Sequence, residues 1–141
     1  MAGITDLQRL LQSMSPKLIE GEYVFCTVDG PLKDYLHLNP IATFREQEGL
    51  TLVLEAQQAE QAGLTTDSRF CLITLTVHSS LEAVGLTAAF ASKLASYGIS
   101  ANVIAGYYHD HIFVQKEKAQ AAMCALAELA LDSSHHSNQM K

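Results

Sequence analysis

Between Phe70 and Val114 the spacing of apolar positions changes several times, and each change marks an element. Phe70 to Val77 (FCLITLTV) is a β-branched and aromatic run of strand length. Leu86, Ala89, Phe90, Leu94 and Tyr97 then recur at helical spacing, and Gly98 stands where a helix takes a left-handed C-terminal residue. A second strand runs through Asn102, Val103, Ile104 and Tyr107. Asp110 marks a reversal, and Ile112 to Val114 form the returning strand. A further helix spans about Lys116 to Leu131, so the order is β-α-β-β-α.

The first half reads more loosely. Leu7, Leu10, Leu11 and Met14 share one face of a short helix that Thr5 or Asp6 caps and Pro16 ends. Glu22 to Val28 is a strand, followed by the turn signal Asp29-Gly30-Pro31. Ala42 to Glu46 and Leu50 to Glu55 flank Gln47-Glu48-Gly49 as a hairpin, with Gly49 at a position of positive φ. Gln57 to Ala62 supplies one or two helical turns, closed by Gly63, and gives roughly α-β-β-β-α. The polar connector Thr65-Thr66-Asp67-Ser68 divides the chain into units 1–66 and 67–132, and the polar residues 133–141 are expected to be disordered. The runs Tyr23–Val28 and Phe70–Val77 echo each other weakly.

A β-α-β-β-α order is most of an α+β, ferredoxin-like (βαββαβ) sandwich. The fourth strand is missing, because Leu131 gives way to Asp132-Ser133-Ser134-His135-His136. A three-stranded sheet would leave an open edge. The first half, or a second copy of the chain, is therefore expected to pair against the second unit.

Composition narrows the function. The 141 residues are 48% hydrophobic and 17% charged, which suits a folded domain. The net charge of −6 comes with nine scattered Lys and Arg residues, so no basic patch opposes phosphates and nucleic acid is excluded as a partner. Neither a signal peptide nor a membrane-spanning run is present, which places the protein in the cytoplasm. Cys26, Cys71 and Cys124 form no CxxC pair and read as reduced thiols packed as small hydrophobes.

Three segments carry a resemblance: Thr76 through Gly85 into Leu86, then Tyr97-Gly98-Ile99, then Tyr107-Tyr108-His109-Asp110-His111-Ile112-Phe113-Val114. Together they resemble an ACT domain, the small βαββαβ module that senses amino acids in metabolic enzymes. The likeness is strongest to the ACT repeats of aspartokinases and arginine sensors. Residues 1–66 are similar to the first half of small bacterial proteins built from two ACT-like units packed together. The resemblance implies a non-catalytic regulatory protein, a homo-oligomer with no cofactor, that binds an amino acid at the interface of ACT-like units. Carried over, the ligand-binding positions are Ser79, Ser80, Glu82, Val84, Gly85 and Leu86, with Asn102, Val103 and Ile104 opposite. Main-chain N–H groups at the helix start would take the α-carboxylate, Asn102 its polar atoms and Glu82 a cationic group. A local alternative is that Ser79-x-x-Glu82 is a capping box and Gly85 permits close packing.

Other chemistry is weaker. His109 and His111 share a strand face, and a metal ion would need His78 or Asp110 as a third ligand. The preferred reading is hairpin polarity, with no metal. Tyr107 and Tyr108 alternate across the strand, one facing inward. Neither Ser79 nor Ser80 lies in a nucleophile elbow, and no phosphate loop occurs, so the chain is not read as an enzyme. The second function to weigh is a ligand-free dimerisation module acting through a partner such as transport or biosynthetic machinery.

Overall fold

The computed structural model describes residues 7–76 and 85–139, with residues 132–139 as backbone only. The chain divides into two compact units. One is continuous, Glu20–Cys71; the other is split, Met1–Ile19 with Leu72–Lys141. The division differs from the expected cut near residue 66, because the N-terminal segment joins the later unit.

In the continuous unit, β2 (Tyr23–Val28) leads to the 3-10 helix η1 (Leu32–Leu38), then β3 (Ala42–Arg45), β4 (Leu50–Glu55), α2 (Ala56–Gln61) and the first residues of β5 (Phe70–Leu75). β4 pairs antiparallel with both β3 and β2, and β2 meets β5 through Tyr23 and Phe70, which gives the order β3-β4-β2-β5. Alternation along β2 and β4 sends Val24, Cys26, Leu50, Leu52 and Leu54 to one face, where Leu38, Ala56 and Ala59 cover them. A 3-10 segment stands where sequence alone showed only a turn. Gly49 also departs from expectation, since its φ is not positive. The glycine is needed for space instead: a Cβ there would lie 2.8 Å from Thr27 Oγ1 and 3.2 Å from the Val28 carbonyl.

The split unit contains α1 (Leu7–Ser13), β1 (Pro16–Leu18), the rest of β5, α3 (Leu86–Ser96), β6 (Asn102–Ala105), β7 (Asp110–Gln115), a 3-10 turn at Lys116–Lys118 and α4 (Ala119–Gln139). β5 is flanked by β1 on one side and β7 on the other, and β6 pairs outside β7. The missing fourth strand is thus β1, which the sequence reading took for the end of a helix. Its register is Pro16 with Leu75, Lys17 with Thr74 and Leu18 with Ile73. The Ile19 N–H donates to the Leu72 carbonyl at 2.9 Å, and the Thr76 N–H to Ser15 at 3.0 Å.

Each helix of this unit buries a narrow stripe. α3 contributes Leu86, Phe90 and Leu94, spaced four residues apart. It closes at Gly98 (φ 72), where the Ile99 N–H reaches the Leu94 carbonyl at 3.0 Å and the Ile99 side chain is buried. α4 presents Ala119, Ala122, Ala125 and Leu126, small enough for close approach of α1 and α3. Tyr97, expected on the buried stripe, is instead exposed and donates its phenol to Glu128 of α4 at 2.5 Å. α4 also continues to Gln139 where a disordered tail from 133 was expected. No Gly or Pro interrupts Ala119–Gln139, so nothing local stops the helix.

Phe90 is fully buried in the split unit. Phe90→Ala is expected to cost about 3–5 kcal/mol, read from the urea midpoint. Ile19→Pro removes the donor to Leu72 and should cost about 1–3 kcal/mol by the same measurement, whereas a neutral result would mean that β1 is dispensable.

Candidate functional site

α3 begins at Leu86 with Gly85 as its N-cap, in the left-handed region at φ 96. Among the described residues no side chain caps this end, and no acidic residue lies in the first turn. The first intrahelical bond is the Ala89 N–H to the Gly85 carbonyl at 2.9 Å, so the amides of Leu86, Thr87 and Ala88 lack helical acceptors. Together with the helix dipole they form a patch of positive potential suited to a carboxylate. Gly85 is required twice over. Its φ disfavours any side chain, and a Cβ would sit 3.2 Å from Leu7 Cδ2. The close-packing reading of Gly85 therefore holds, and the capping-box reading of Ser79 and Glu82 lies outside the described residues.

Of the positions carried over from the family likeness, Ser79, Ser80, Glu82 and Val84 lie outside the described residues, as does His78. Leu86 is buried in the core. Asn102, Val103 and Ile104 lie on β6, an edge strand that pairs with β7 alone in the sheet order. Val103 and Ile104 are half-buried and Asn102 is exposed, with its amide donating to the Phe113 carbonyl at 3.2 Å. That bond uses one of the two amide hydrogens of Asn102.

The β6–β7 reversal is Gly106-Tyr107-Tyr108-His109, closed by the Gly106 N–H to the His109 carbonyl at 2.9 Å, and Asp110 already belongs to β7. Tyr107 and Tyr108 therefore do not alternate across a strand. Both stand at the turn, 79% and 69% exposed, with rings edge to face at 5.1 Å. His109 and His111 are likewise not a pair on one strand face. His111 Nδ1 lies 3.0 Å from Thr74 Oγ1 on β5, and His109 Nδ1 is buried without a hydrogen-bond partner among the described residues. Among those residues no three His, Cys, Asp or Glu side chains are placed to hold a metal ion. Cys26 is buried and Cys71 half-buried, but Cys124 is exposed on α4 and is not the buried hydrophobe its setting suggested.

Two clefts in the continuous unit were not anticipated. One, of about 430 Å³, is lined by Glu20, Gly21, Glu22, Glu55, Ala56, Gln57 and Arg69. Arg69 bridges Glu22 at 2.8 Å and Glu60, and these bonds raise its already high pKa. The other, of about 240 Å³, is lined by Tyr23, Asn39, Pro40, Ile41, Glu55 and Gln58. Burial pushes the Tyr23 phenol up, and the Glu55 charge adds to it. Glu55 and Arg69 lie too far in sequence from Glu20 and Glu22 for any spacing rule to join them.

Burial holds the His111 imidazole below the ordinary histidine range. The neighbouring His109 adds to the effect and Asp110 opposes it. The folded state thus takes up a proton at His111 less readily than the unfolded chain, and stability falls as pH drops below about 6.5. Burial raises the Asp110 carboxyl, which gives the opposite slope at more acidic pH, where stability falls as pH rises through its folded pKa. The His111→Gln variant is expected to show a flatter dependence of Tm on pH between about 7 and 5. An unchanged slope would assign the effect elsewhere.

Two ACT-domain models match this chain, one over residues 2–71 and one over residues 67–128. No curated protein matches. The chain is 74% identical to a Vibrio cholerae protein of unknown function, VC0802, described as a possible transport protein. That match covers 91% of this chain and 98% of the other, with a TM-score of 0.83. The Agrobacterium tumefaciens protein Atu0741 shares the fold at 16% identity, with a TM-score of 0.66 over 83% of this chain and 89% of the other. So does the regulatory subunit of aspartate kinase from Thermus thermophilus, at 12% identity and a TM-score of 0.62, over 81% of this chain and 95% of the subunit. Among the described residues no helix is long and apolar enough to cross a membrane. With an α+β, ferredoxin-like arrangement in each unit and both models matched in tandem, the chain belongs to the ACT-domain family and carries two ACT units.

Proposed function

We propose that this protein is a non-catalytic sensor that binds a small metabolite, an amino acid, at the loop entering α3 and against the edge strand β6. The observation that carries the reading is the N-terminus of α3, where Gly85 is the N-cap, no side-chain cap forms among the described residues and no acid lies in the first turn. A ligand α-carboxylate would take the amides of Leu86, Thr87 and Ala88. Ser79, Ser80, Glu82 and Val84 of the preceding loop, with Asn102, Val103 and Ile104, would contact the rest. The ACT units belong to a regulatory, non-catalytic family, and this supports binding rather than turnover.

Binding at a unit edge acts by favouring one arrangement of units or copies over another, and its size is the difference in affinity between them. The output would pass through homo-oligomerisation or through a partner protein in the cytoplasm. The description of the Vibrio cholerae relative points toward transport machinery as one such partner. The competing reading is a ligand-free dimerisation module. It is favoured by β6 standing at the sheet edge beside two exposed tyrosines.

A thermal-shift screen of the twenty amino acids and common metabolites at millimolar concentration separates these readings. A site with Kd near 10 μM adds about 2.7 kcal/mol at 1 mM ligand, which raises Tm by several degrees. One compound should raise Tm, and Glu82→Ala or Asn102→Ala should reduce the shift. A Tm indifferent to every compound, but rising with protein concentration, would establish the dimerisation module instead.

A further inference from the structure

In the continuous unit, where β2 begins and β4 finishes, Tyr23 stands directly opposite Glu55 in the strand register. Both line the smaller cleft, of about 240 Å³, together with Asn39, Pro40, Ile41 and Gln58. Backbone hydrogen bonds fix its walls. The Ile41 N–H donates to the Val53 carbonyl at 2.8 Å, which ties the connector between η1 and β3 to β4. The Ala56 N–H donates to the Glu22 carbonyl at 2.9 Å, which ties α2, and with it Gln58, to the strand end below. Asn39 closes η1 in the left-handed region at φ 54, a conformation that asparagine tolerates better than most residues. The cleft is therefore formed before any ligand arrives.

Its charge has one sign. Glu55 also lines the larger cleft, where Glu20 and Glu22 add further carboxylates. The cation in that cleft, Arg69, is held between Glu22 and Glu60. Among the described residues no ion pair reaches Glu55. Asn39 and Gln58 bring amides that both donate and accept, while Pro40 and Ile41 supply an apolar wall. The volume is below the roughly 300–1,000 Å³ of clefts that take drug-sized molecules, so only a small ligand fits.

We propose that this cleft binds a small organic ammonium ion that carries a neutral polar group, a short apolar body and no carboxylate. The ammonium pairs with Glu55, the Asn39 and Gln58 amides take the neutral polar group, and Pro40 and Ile41 cover the apolar body. A ligand carboxylate is disfavoured, because Glu55 and the neighbouring Glu20 repel it. All six lining residues belong to the continuous unit, so the site does not depend on the sensor reading or on α3.

The test uses the full chain, labelled for amide NMR, at mildly acidic pH. Leucinamide is the probe; isocaproamide, which lacks the ammonium, and leucine, which has a carboxylate in place of the amide, are its controls. Saturable shifts at the backbone amides of Asn39, Ile41, Glu55 and Gln58 are expected with leucinamide at up to about 20 mM, enough to populate a millimolar site. Neither control should move these four amides. Glu55→Gln keeps the shape and removes the charge, and should weaken leucinamide binding about tenfold. Asn39→Gly keeps the left-handed backbone and removes one side-chain amide, and should weaken it about threefold. The absence of a saturable shift at these positions would overturn the proposal. So would equal shifts with either control, or undiminished affinity in Glu55→Gln.

Discussion

Antiparallel pairing of Pro16–Leu18 with Ile73–Leu75 is the contact on which the split unit depends. Without it β5 would have β7 on one side and bare backbone on the other. A central strand with an unpaired flank cannot hold a buried face made of Ile73 and Leu75. The pairing also sets the place of α1, because only two residues separate Ser13 from Pro16. Leu10, Leu11 and Met14 can then be buried in this unit, where α1 packs on α3 and α4. The N-terminal segment is thus a structural part of the later unit, although the sequence places it before the earlier one.

The same arrangement gives the candidate site its shape. α1 packs near the start of α3, and Leu7 approaches Gly85 so closely that a side chain there would collide. At this helix end Gly85 packs against Leu7, and no side-chain cap forms among the described residues. In the continuous unit the equivalent corner is built from shorter and more acidic sequence, and a 3-10 turn replaces the α-helix. Two copies of one topology have come to differ in the chemistry of their entry loops while sharing strand order.

Much of the fold was legible because its signals are local. The stripe Leu86, Phe90, Leu94 and the Gly98 terminator predict α3 to within a residue, and the alternation in Tyr23–Val28 predicts β2. The weakly echoing runs Tyr23–Val28 and Phe70–Val77 supply β2 and β5, each paired on both sides. Other elements gave no local signal. Three residues of β1 are too few for a period. Tyr107 was read into a strand because aromatic residues favour strands, yet the Gly106–His109 hydrogen bond turns the chain before it. Gly49 was assigned a torsional role, whereas its need is steric and comes from Thr27 on a neighbouring strand. Of the candidate site, Gly85 and β6 were legible as helix start and strand, but the bonding of Asn102 to Phe113 and the clefts around Glu55 were not.

By itself the sequence determined most of the secondary-structure order, because hydrophobic periodicity is a pattern within about a dozen residues, and the likeness of three segments to ACT domains pointed to the family. Tertiary structure alone decided which strand closes the second sheet, how Gly85 packs at the start of α3 and where the compact units divide. Those outcomes depend on contacts between residues as distant as Leu18 and Ile73, or Leu7 and Gly85. Hydrophobic periodicity says that a strand or helix will bury one face, but not against which partner. That choice is made by edge closure and packing once the whole chain is present.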